Sequence, residues 1–441
     1  MSIRVGLWCG LCLVPTAWAV DPGVLVGRWK GAFSRHGSIQ IIDVRLERRG
    51  DTVVGHYDIP EMGLFEEPLS EVVVGDSTVS IRLLYGPFDL YFQEGYEQLT
   101  ALNERWNPPV SLHLKKVAGG LEPQFTSEAV SFTSGGSQLA GTLVRPLSPG
   151  PHPALVAIPG SGNQGRTTWE YRSHAYALAR QGIAVLLYDK RGVGESEGSL
   201  SSADFTTMAN DATAALNSLR GRSDVAPGRV GFLGISQGGW VAAIASRLGA
   251  EPDFIVFLEG PSVSLEAQEL HRVEYSLRAE GYAESAIDSA VSHTRTYFAF
   301  VNSPQDWKSL EASTQTSSKA AWAEFVNLPA TQDDTDIAWW RQNAYDPAED
   351  LQALSCPVLA VFGEVDPNVP PAENVELMKQ YLSRAGVEFE VVIIPGLPHS
   401  VTTYQTLLGG EWNWPQHYWV WSRRPTVLDS SMGAWVWERV P

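Results

Sequence analysis

The sequence predicts an α/β domain built on a mostly parallel sheet and preceded by a small all-β domain. At 441 residues, the chain is longer than one ordinary hydrophobic core. Short alternating segments separated by Gly, Asp and Pro occupy residues 24–117, as in antiparallel strands. Farther along, continuous apolar strands alternate with helical stretches, which is typical of a parallel sheet covered on both faces.

The N-terminal segment MSIRVGLWCGLCLVPTAWAV has the features of an export signal. Arg4 supplies a positive charge, residues 5–14 form a short apolar run, and Ala17-Trp18-Ala19 matches a small-residue cleavage site. The run is shorter than a membrane-spanning helix requires. We therefore predict a signal peptide over residues 1–19 and a periplasmic or secreted mature protein; a buried N-terminal helix is the alternative.

Charge and cysteine content limit the partners of this chain. A formal net charge of −18 disfavours nucleic acid as a partner. Of the three cysteines, Cys356 alone lies beyond the leader, so we predict no internal disulfide. A small-molecule substrate is the expected partner, with no stable membrane span, and the composition leaves the oligomeric state open.

The change of pattern along the chain predicts the domain limits. We place a β-sandwich or barrel-like domain at residues 20–120 and the α/β domain at residues 126–441, where a hairpin with Gly135-Gly136 at its turn comes first. Between about residues 261 and 348 only helical segments occur, which predicts a cap inserted between two strands. Six tryptophans near the C-terminus predict packing of a final helix, with a carbohydrate-stacking surface as the alternative: Trp412, Trp414, Trp419, Trp421, Trp435 and Trp437.

Ser236 lies in RVGFLGISQGGWVAA, where an apolar strand runs directly into a helical stretch. The G-x-S-x-G pentapeptide at such a junction is typical of a nucleophile held in a strained turn with its hydroxyl exposed. Glycines provide room for that backbone. The N-terminus of the following helix favours negative charge at the serine. We therefore predict that Ser236 is a nucleophile.

A serine nucleophile requires a base and an acid that orients the base. His399 follows the last predicted strand, in VVIIPGLPHS, and is favoured over His417 in the tryptophan-rich tail. Asp366 follows the preceding strand, in PVLAVFGEVD, and is favoured over Glu364 and Glu259. The order Ser, Asp, His is that of the α/β-hydrolase arrangement.

The oxyanion of such a reaction needs converging N–H groups. One is predicted from Gln237, which follows the nucleophile, and the second from Ser161, with Gly162 next, in VAIPGSGNQGR. The alternative, a phosphate-binding loop, is disfavoured because no lysine follows in P-loop register. For YDKRGVGES we predict that Asp189 and Arg191 pair to brace loops beneath the site.

The motifs IPGSG, YDKRGVGES, GISQGG, GEVDPNVP and GLPHS, in this order, resemble those of exported bacterial serine hydrolases of the α/β-hydrolase superfamily, of the carboxylesterase and serine-aminopeptidase-like kind. The resemblance covers about residues 128–441. It implies the α/β-hydrolase fold and a Ser236, Asp366 and His399 triad. It also implies esterase activity on short acyl chains, without metal or organic cofactor. The segment Asn163-Gln164-Gly165-Arg166 departs from the Pro-x-Asp-Arg-like continuation of many relatives.

The sequence thus favours a serine hydrolase that cleaves carboxylic esters through an acyl-enzyme. On the same triad, a peptidase, an aminopeptidase or a thioesterase is the alternative, because the triad does not select the leaving group. A non-catalytic protein that binds cell-wall glycan or lipid is the alternative from another class.

Overall fold

The computed structural model describes residues 22–35, 38–75, 77–93, 96–119, 124–399, 403–404 and 422–439. These residues divide into two compact units: one holds most of those up to 119, and the other holds those from 124 onward together with residues 62–64. The predicted signal peptide lies outside the described residues, as do His417, Trp412, Trp414, Trp419 and Trp421.

The first unit is built on one sheet of nine strands, which confirms the predicted all-β domain. The sheet order is β4-β3-β2-β1-β9-β8-β7-β6-β5, and the pairings from β3 through to β5 are antiparallel. The strands are β1 (Gly27–Arg35), β2 (Ser38–Arg49), β3 (Thr52–Ile59), β4 (Leu64–Pro68), β5 (Val72–Val74), β6 (Thr78–Leu83), β7 (Gly86–Phe92), β8 (Gln98–Asn103) and β9 (Val110–Val117).

This sheet curls towards a barrel-like form, because its two ends approach one another. The backbone N–H of Leu69, just before β5, donates to the carbonyl of Gly55 in β3 at 2.8 Å. Alternate residues of the strands point inward, so that Trp29, Phe33 and Leu112 are fully buried. Alternation of apolar and polar residues, visible in the sequence, therefore produces the core of this unit.

The second unit contains an eight-stranded sheet in the order β10-β11-β13-β12-β14-β15-β16-β17. Strands β12 to β17 pair in parallel, whereas β11 pairs antiparallel with β10 and β13. This is the predicted mostly parallel sheet of the α/β-hydrolase fold. The strands are β10 (Thr126–Ser134), β11 (Ser137–Arg145), β12 (His152–Ile158), β13 (Ala184–Tyr188), β14 (Val225–Ile235), β15 (Ile255–Leu258), β16 (Val358–Gly363) and β17 (Phe389–Ile394). Two-residue strands β18 (Thr403–Tyr404) and β19 (Ser422–Arg423) pair separately.

Helices cover the sheet and form the cap. Residues 259–357, all of them described, contain five α-helices and no strand, as the sequence predicts for a cap. These are α4 (Leu265–Ala279), α5 (Glu284–Asn302), α6 (Trp307–Ser317), α7 (Thr335–Gln342) and α8 (Ala348–Gln352). The other helices are α1 (Trp169–Ala179), α2 (Phe205–Arg220), α3 (Gln237–Arg247), α9 (Pro371–Ala385) and α10 (Thr426–Arg439).

Local chemistry explains where α2 begins and which face it buries. The Asp204 side chain accepts a hydrogen bond from Thr207 N–H at 2.7 Å and so caps the first turn. Met208, Ala212 and Leu216 recur at helical spacing and are buried, so one stripe of α2 packs in the core that includes the sheet. Among the described residues, none of the helices is both long and apolar enough to cross a membrane.

The C-terminal helix α10 shows how the two described tail tryptophans are used. Trp435 is buried with its ring centroid 6.2 Å from that of Phe254. Trp437 is half exposed, and its indole N–H donates to the carbonyl of Gln181 at 2.8 Å. Both tryptophans therefore contribute to packing of α10, as expected for a final helix.

Candidate active site

Ser236 lies in the tight turn between β14 and α3. Its backbone has φ +53° and ψ −126°, a region that residues with a side chain rarely adopt. The neighbouring glycines are required by space: a Cβ on Gly238 would lie 2.2 Å from the carbonyl oxygen of Ile158. A Cβ on Gly234 would lie 2.7 Å from the carbonyl oxygen of Gly238. The close packing of this turn fixes the position of the serine.

The structure brings the three predicted triad residues into one hydrogen-bonded chain. His399 Nε2 lies 3.0 Å from Ser236 Oγ, and His399 Nδ1 lies 2.8 Å from Asp366 Oδ2. A carboxylate only accepts, so Nδ1 carries the hydrogen and Nε2 is free to accept the serine proton. The other Asp366 oxygen, Oδ1, accepts from the N–H groups of Asn368 at 2.8 Å and Val369 at 2.9 Å. This arrangement holds the buried carboxylate in one orientation.

The two competing carboxylates have different positions. Glu364 is exposed, and its Oε2 accepts from the N–H of Gly396 at 2.8 Å, in the turn after β17. Glu259 is buried, and its Oε2 lies 3.6 Å from His399 Nδ1. Because β15 lies between β14 and β16, its C-terminal end brings Glu259 between the nucleophile and the acid. Glu259 therefore lies beside His399, although the sequence favoured Asp366 over it as the acid.

Three potential metal ligands, from Glu259, Asp366 and His399, lie within 4.8 Å of one another. The hydrogen bond between Asp366 and His399 and the contact of His399 with Ser236 already engage the ligand atoms of two of them. The third, Glu259 Oε2, lies 3.6 Å from His399 Nδ1, so the cluster coincides with the triad and its neighbouring carboxylate.

The loop after β12 contains the predicted oxyanion residues Ser161 and Gly162. A Cβ on Gly160 would lie 3.2 Å from Ser236 Cβ, so this loop runs directly beside the nucleophile. The N–H of Gly160 donates to the Tyr171 hydroxyl at 2.8 Å. Gln237, the other predicted donor, is the buried first residue of α3. The fold therefore places the two predicted donor residues, Ser161 and Gln237, next to Ser236.

Lys190 lies beside the triad and was not predicted from the sequence. Its buried ammonium donates to the carbonyl of Gly160, to that of Gly162 at 3.1 Å, and to Gln237 Oε1 at 3.5 Å. Burial lowers the pKa of Lys190 to about 8. The sequence signal for it was a cation two residues after the buried strand β13, at the sheet edge that carries Ser236.

The predicted pairing of Asp189 with Arg191 is wrong. Asp189 Oδ1 accepts from the N–H of Arg166 at 2.9 Å, and its Oδ2 accepts from the N–H of Glu195 at 3.1 Å. Arg191 instead forms a two-pronged ion pair with Asp211 of α2, with Nε to Oδ2 at 2.8 Å. The two side chains diverge because the turn after β13 directs one towards the loop after β12 and the other towards α2. Each side chain therefore braces a different neighbouring segment from the one predicted.

Two cavities flank Ser236 and His399. One, of about 180 Å³, is partly lined by Thr168, Glu170 and Glu259. Burial raises the pKa of the Glu170 carboxyl in this cavity. The second, of about 280 Å³, is bounded by aromatic and charged side chains, among them Trp240, Trp339, Trp340, Glu269 and Arg272. The nucleophile therefore has space on both sides for the two halves of a substrate.

Cys356 is buried and has no disulfide partner. Burial raises the pKa of its thiol to about 12. The thiol therefore stays protonated at neutral pH and fits a packing role.

Comparison with known proteins gives one family match and several relatives. A family model described as X-Pro dipeptidyl-peptidase (S15 family) matches residues 135–397. Esterase EstD of Thermotoga maritima is 26% identical over 268 residues, 59% of this chain and 57% of EstD. The uncharacterized protein Rv2307c of Mycobacterium tuberculosis is 35% identical over 139 residues, 31% of this chain and 46% of that protein. The chain thus spans about half the length of these relatives.

Two solved structures are similar to part of this chain. Est1E from Butyrivibrio proteoclasticus, with ferulic acid bound, gives a TM-score of 0.44 at 16% identity and covers 71% of this chain and 99% of its own. DcsB in complex with its substrate analogue gives a TM-score of 0.44 at 18% identity, with the same coverage of 71% and 99%.

Proposed function

Because this chain belongs to the X-Pro dipeptidyl-peptidase family S15 and is a serine hydrolase, we propose that it cleaves carboxylic esters through an acyl-enzyme intermediate on Ser236. The observation that carries this proposal is the continuous chain from Ser236 Oγ to His399 at 3.0 Å and from His399 to Asp366 at 2.8 Å.

The proposed reaction has two halves on one triad. Ser236 Oγ attacks the ester carbonyl while His399 Nε2 takes its proton and then passes it to the leaving alcohol. Asp366 stabilises the imidazolium through the hydrogen on Nδ1. The N–H groups of Gln237 and Ser161 hold the oxyanion. A water, activated by His399, then attacks the acyl-enzyme and releases the acid and free Ser236.

One observation favours esters and another favours short acyl chains. The relative EstD, aligned over 57% of its length, is named an esterase. The cavity beside Ser236 has a volume of about 180 Å³ and carries carboxylates in its wall, which suits a small acyl group better than a long apolar chain. We therefore expect acetate and butyrate esters to be the better substrates.

A peptidase is the second candidate, and two observations favour it. The family name refers to enzymes that release X-Pro dipeptides. Glu170 and Glu259 line the smaller cavity next to Ser236, where a carboxylate attracts the ammonium group at the N-terminus of a peptide.

A substrate panel separates the two candidates. We would compare p-nitrophenyl esters from acetate to decanoate, a thioester and an X-Pro p-nitroanilide, using wild type, Ser236→Ala and the exposed-serine control Ser201→Ala. The proposal predicts the highest kcat/KM for acetate or butyrate, full loss in Ser236→Ala and unchanged rates in Ser201→Ala. Faster turnover of the anilide contradicts esters as the preferred substrates and favours the peptidase.

A fluorophosphonate probe and Glu170→Gln sharpen the result. Labelling of wild type that disappears in Ser236→Ala supports the nucleophile, whereas a folded wild type that resists labelling favours the non-catalytic binding protein. If the substrate carries an amine, Glu170→Gln lowers kcat/KM for the anilide about tenfold and leaves neutral esters unchanged, because one ion pair of ~1.4 kcal/mol is lost.

We also propose that the protein acts in the periplasm or outside the cell. The support is the sequence pattern of residues 1–19, with its cationic start, apolar run and Ala17-Trp18-Ala19. N-terminal sequencing of the exported protein should find a start near Val20, and an uncleaved protein in the cytoplasm would contradict the proposal.

A further inference from the structure

Lys190 is a buried cation, and its three hydrogen-bonding partners among the described residues are all neutral oxygens. They are the carbonyls of Gly160 and Gly162 and the side-chain oxygen of Gln237. Burying an ammonium without a carboxylate carries a large desolvation cost. The buried lysine is therefore better explained by a role in shaping the loop that it contacts than by a contribution to stability.

We propose that Lys190 is a positioning residue that turns the peptide group between Gly160 and Ser161 so that the Ser161 N–H faces the oxyanion. This inference rests on the proposed function, in which that N–H is an oxyanion donor.

The geometry of one peptide group carries the inference. The carbonyl of Gly160 and the N–H of Ser161 belong to the same planar peptide, and in the trans form they point in opposite directions. Lys190 draws the carbonyl to its own side, so the N–H is directed to the other side. The preceding peptide is held as well, because the Gly160 N–H donates to the Tyr171 hydroxyl at 2.8 Å.

The orientation of this peptide group matters because the group lies next to the nucleophile. Gly160 approaches Ser236 so closely that a Cβ on it would lie 3.2 Å from Ser236 Cβ. The same ammonium lies 3.5 Å from the side-chain oxygen of Gln237. In the proposed function, Gln237 supplies the second N–H. One buried cation therefore braces both predicted donors, and its charge polarises the Ser161 peptide and strengthens its N–H as a donor.

A group that acts on the oxyanion affects the transition state more than the bound substrate. Removing one oxyanion donor lowers kcat by about 10²–10³-fold in known cases. Lys190 acts through the donor rather than being it, so we expect a smaller loss, of about 10–100-fold.

The test compares Lys190→Met with wild type and with Lys308→Met, which changes an exposed lysine of the cap. On p-nitrophenyl acetate, Lys190→Met should lower kcat about 10–100-fold with KM within about twofold. The rate of fluorophosphonate labelling should fall in parallel, because phosphonylation uses the same donors. Lys308→Met should match wild type in all three measurements.

If Lys190→Met does not fold, Lys190→Gln carries the same test. It keeps a neutral donor without the charge, and its kcat should lie more than threefold below that of wild type. A kcat within threefold of wild type, or a loss found only in KM, overturns the inference. In that case an active wild type and a dead Ser236→Ala leave the proposed function intact. A wild type that neither turns over esters nor reacts with the probe overturns both.

Discussion

Replacing Asp366 by Asn tests the acid of the triad without changing its shape. Asp366 Oδ1 accepts two backbone N–H groups, from Asn368 at 2.8 Å and Val369 at 2.9 Å. In the variant these donors select the amide oxygen, because an NH₂ group cannot accept from them. The amide nitrogen must then face His399 Nδ1, where it replaces the oxygen at 2.8 Å.

The expected result is a loss of kcat of about 10⁴-fold, which corresponds to about 5 kcal/mol. The physical reason is the tautomer: the amide donates to Nδ1, so the hydrogen of neutral His399 moves to Nε2, which faces Ser236 Oγ at 3.0 Å. Nε2 then has no lone pair for the serine proton. The assay is steady-state hydrolysis of p-nitrophenyl acetate near pH 7.5, with circular dichroism to show that the variant is folded.

Glu364→Gln is the matched control, because this exposed carboxylate lies two residues earlier in the chain and accepts a hydrogen bond from the N–H of Gly396. It should leave kcat within threefold of wild type. A loss of less than tenfold in Asp366→Asn would refute the reasoning. It would show that Glu259, 3.6 Å from Nδ1, can hold the histidine in its working tautomer.

Three further predictions concern stability and pH. Burial lowers the pKa of Lys190 from 10.5 to about 8, so the folded state loses this proton before the unfolded state does as pH rises. Stability relative to Lys190→Met should therefore increase by about 2 kcal/mol between pH 8 and pH 9.5 in urea titrations, and a flat difference would contradict the burial of the ammonium. Gly238→Ala should prevent folding or destabilise by several kcal/mol, since its Cβ would lie 2.2 Å from a backbone carbonyl oxygen, whereas Gly221→Ala, with φ −78° and its nearest neighbour atom at 3.9 Å, should be tolerated in thermal melts. Arg191→Met should lower the free energy of unfolding by about 3–5 kcal/mol because it leaves the buried Asp211 carboxylate without its cation, and Arg191→Met/Asp211→Leu should recover much of the loss.

The parts of this site that follow strand ends could be predicted from the sequence. Ser236, Asp366 and His399 each come after an apolar segment, and the carboxyl ends of parallel strands meet at one edge of a sheet. The hairpin at Gly135 and Gly136 was also predictable, because both have φ above zero, which glycine adopts freely.

Side-chain partners across the fold could not be predicted in the same way. Lys190 contacts residues 30 and 47 positions away in the chain, and no local pattern specifies those contacts. Asp189 and Arg191 lie close in sequence, yet each bonds to a different element. The proximity of Glu259 to His399 depends on the order of strands in the sheet, which sequence periodicity does not contain.

The most direct test of the central claim is a stopped-flow measurement with p-nitrophenyl acetate, followed by acid quench and peptide mass mapping. The account predicts a burst of p-nitrophenol close to one equivalent per enzyme when deacylation is the slower step, and an acetyl group on Ser236 under those conditions. An acetyl group trapped on another residue, or turnover that persists in Ser236→Ala, would contradict it.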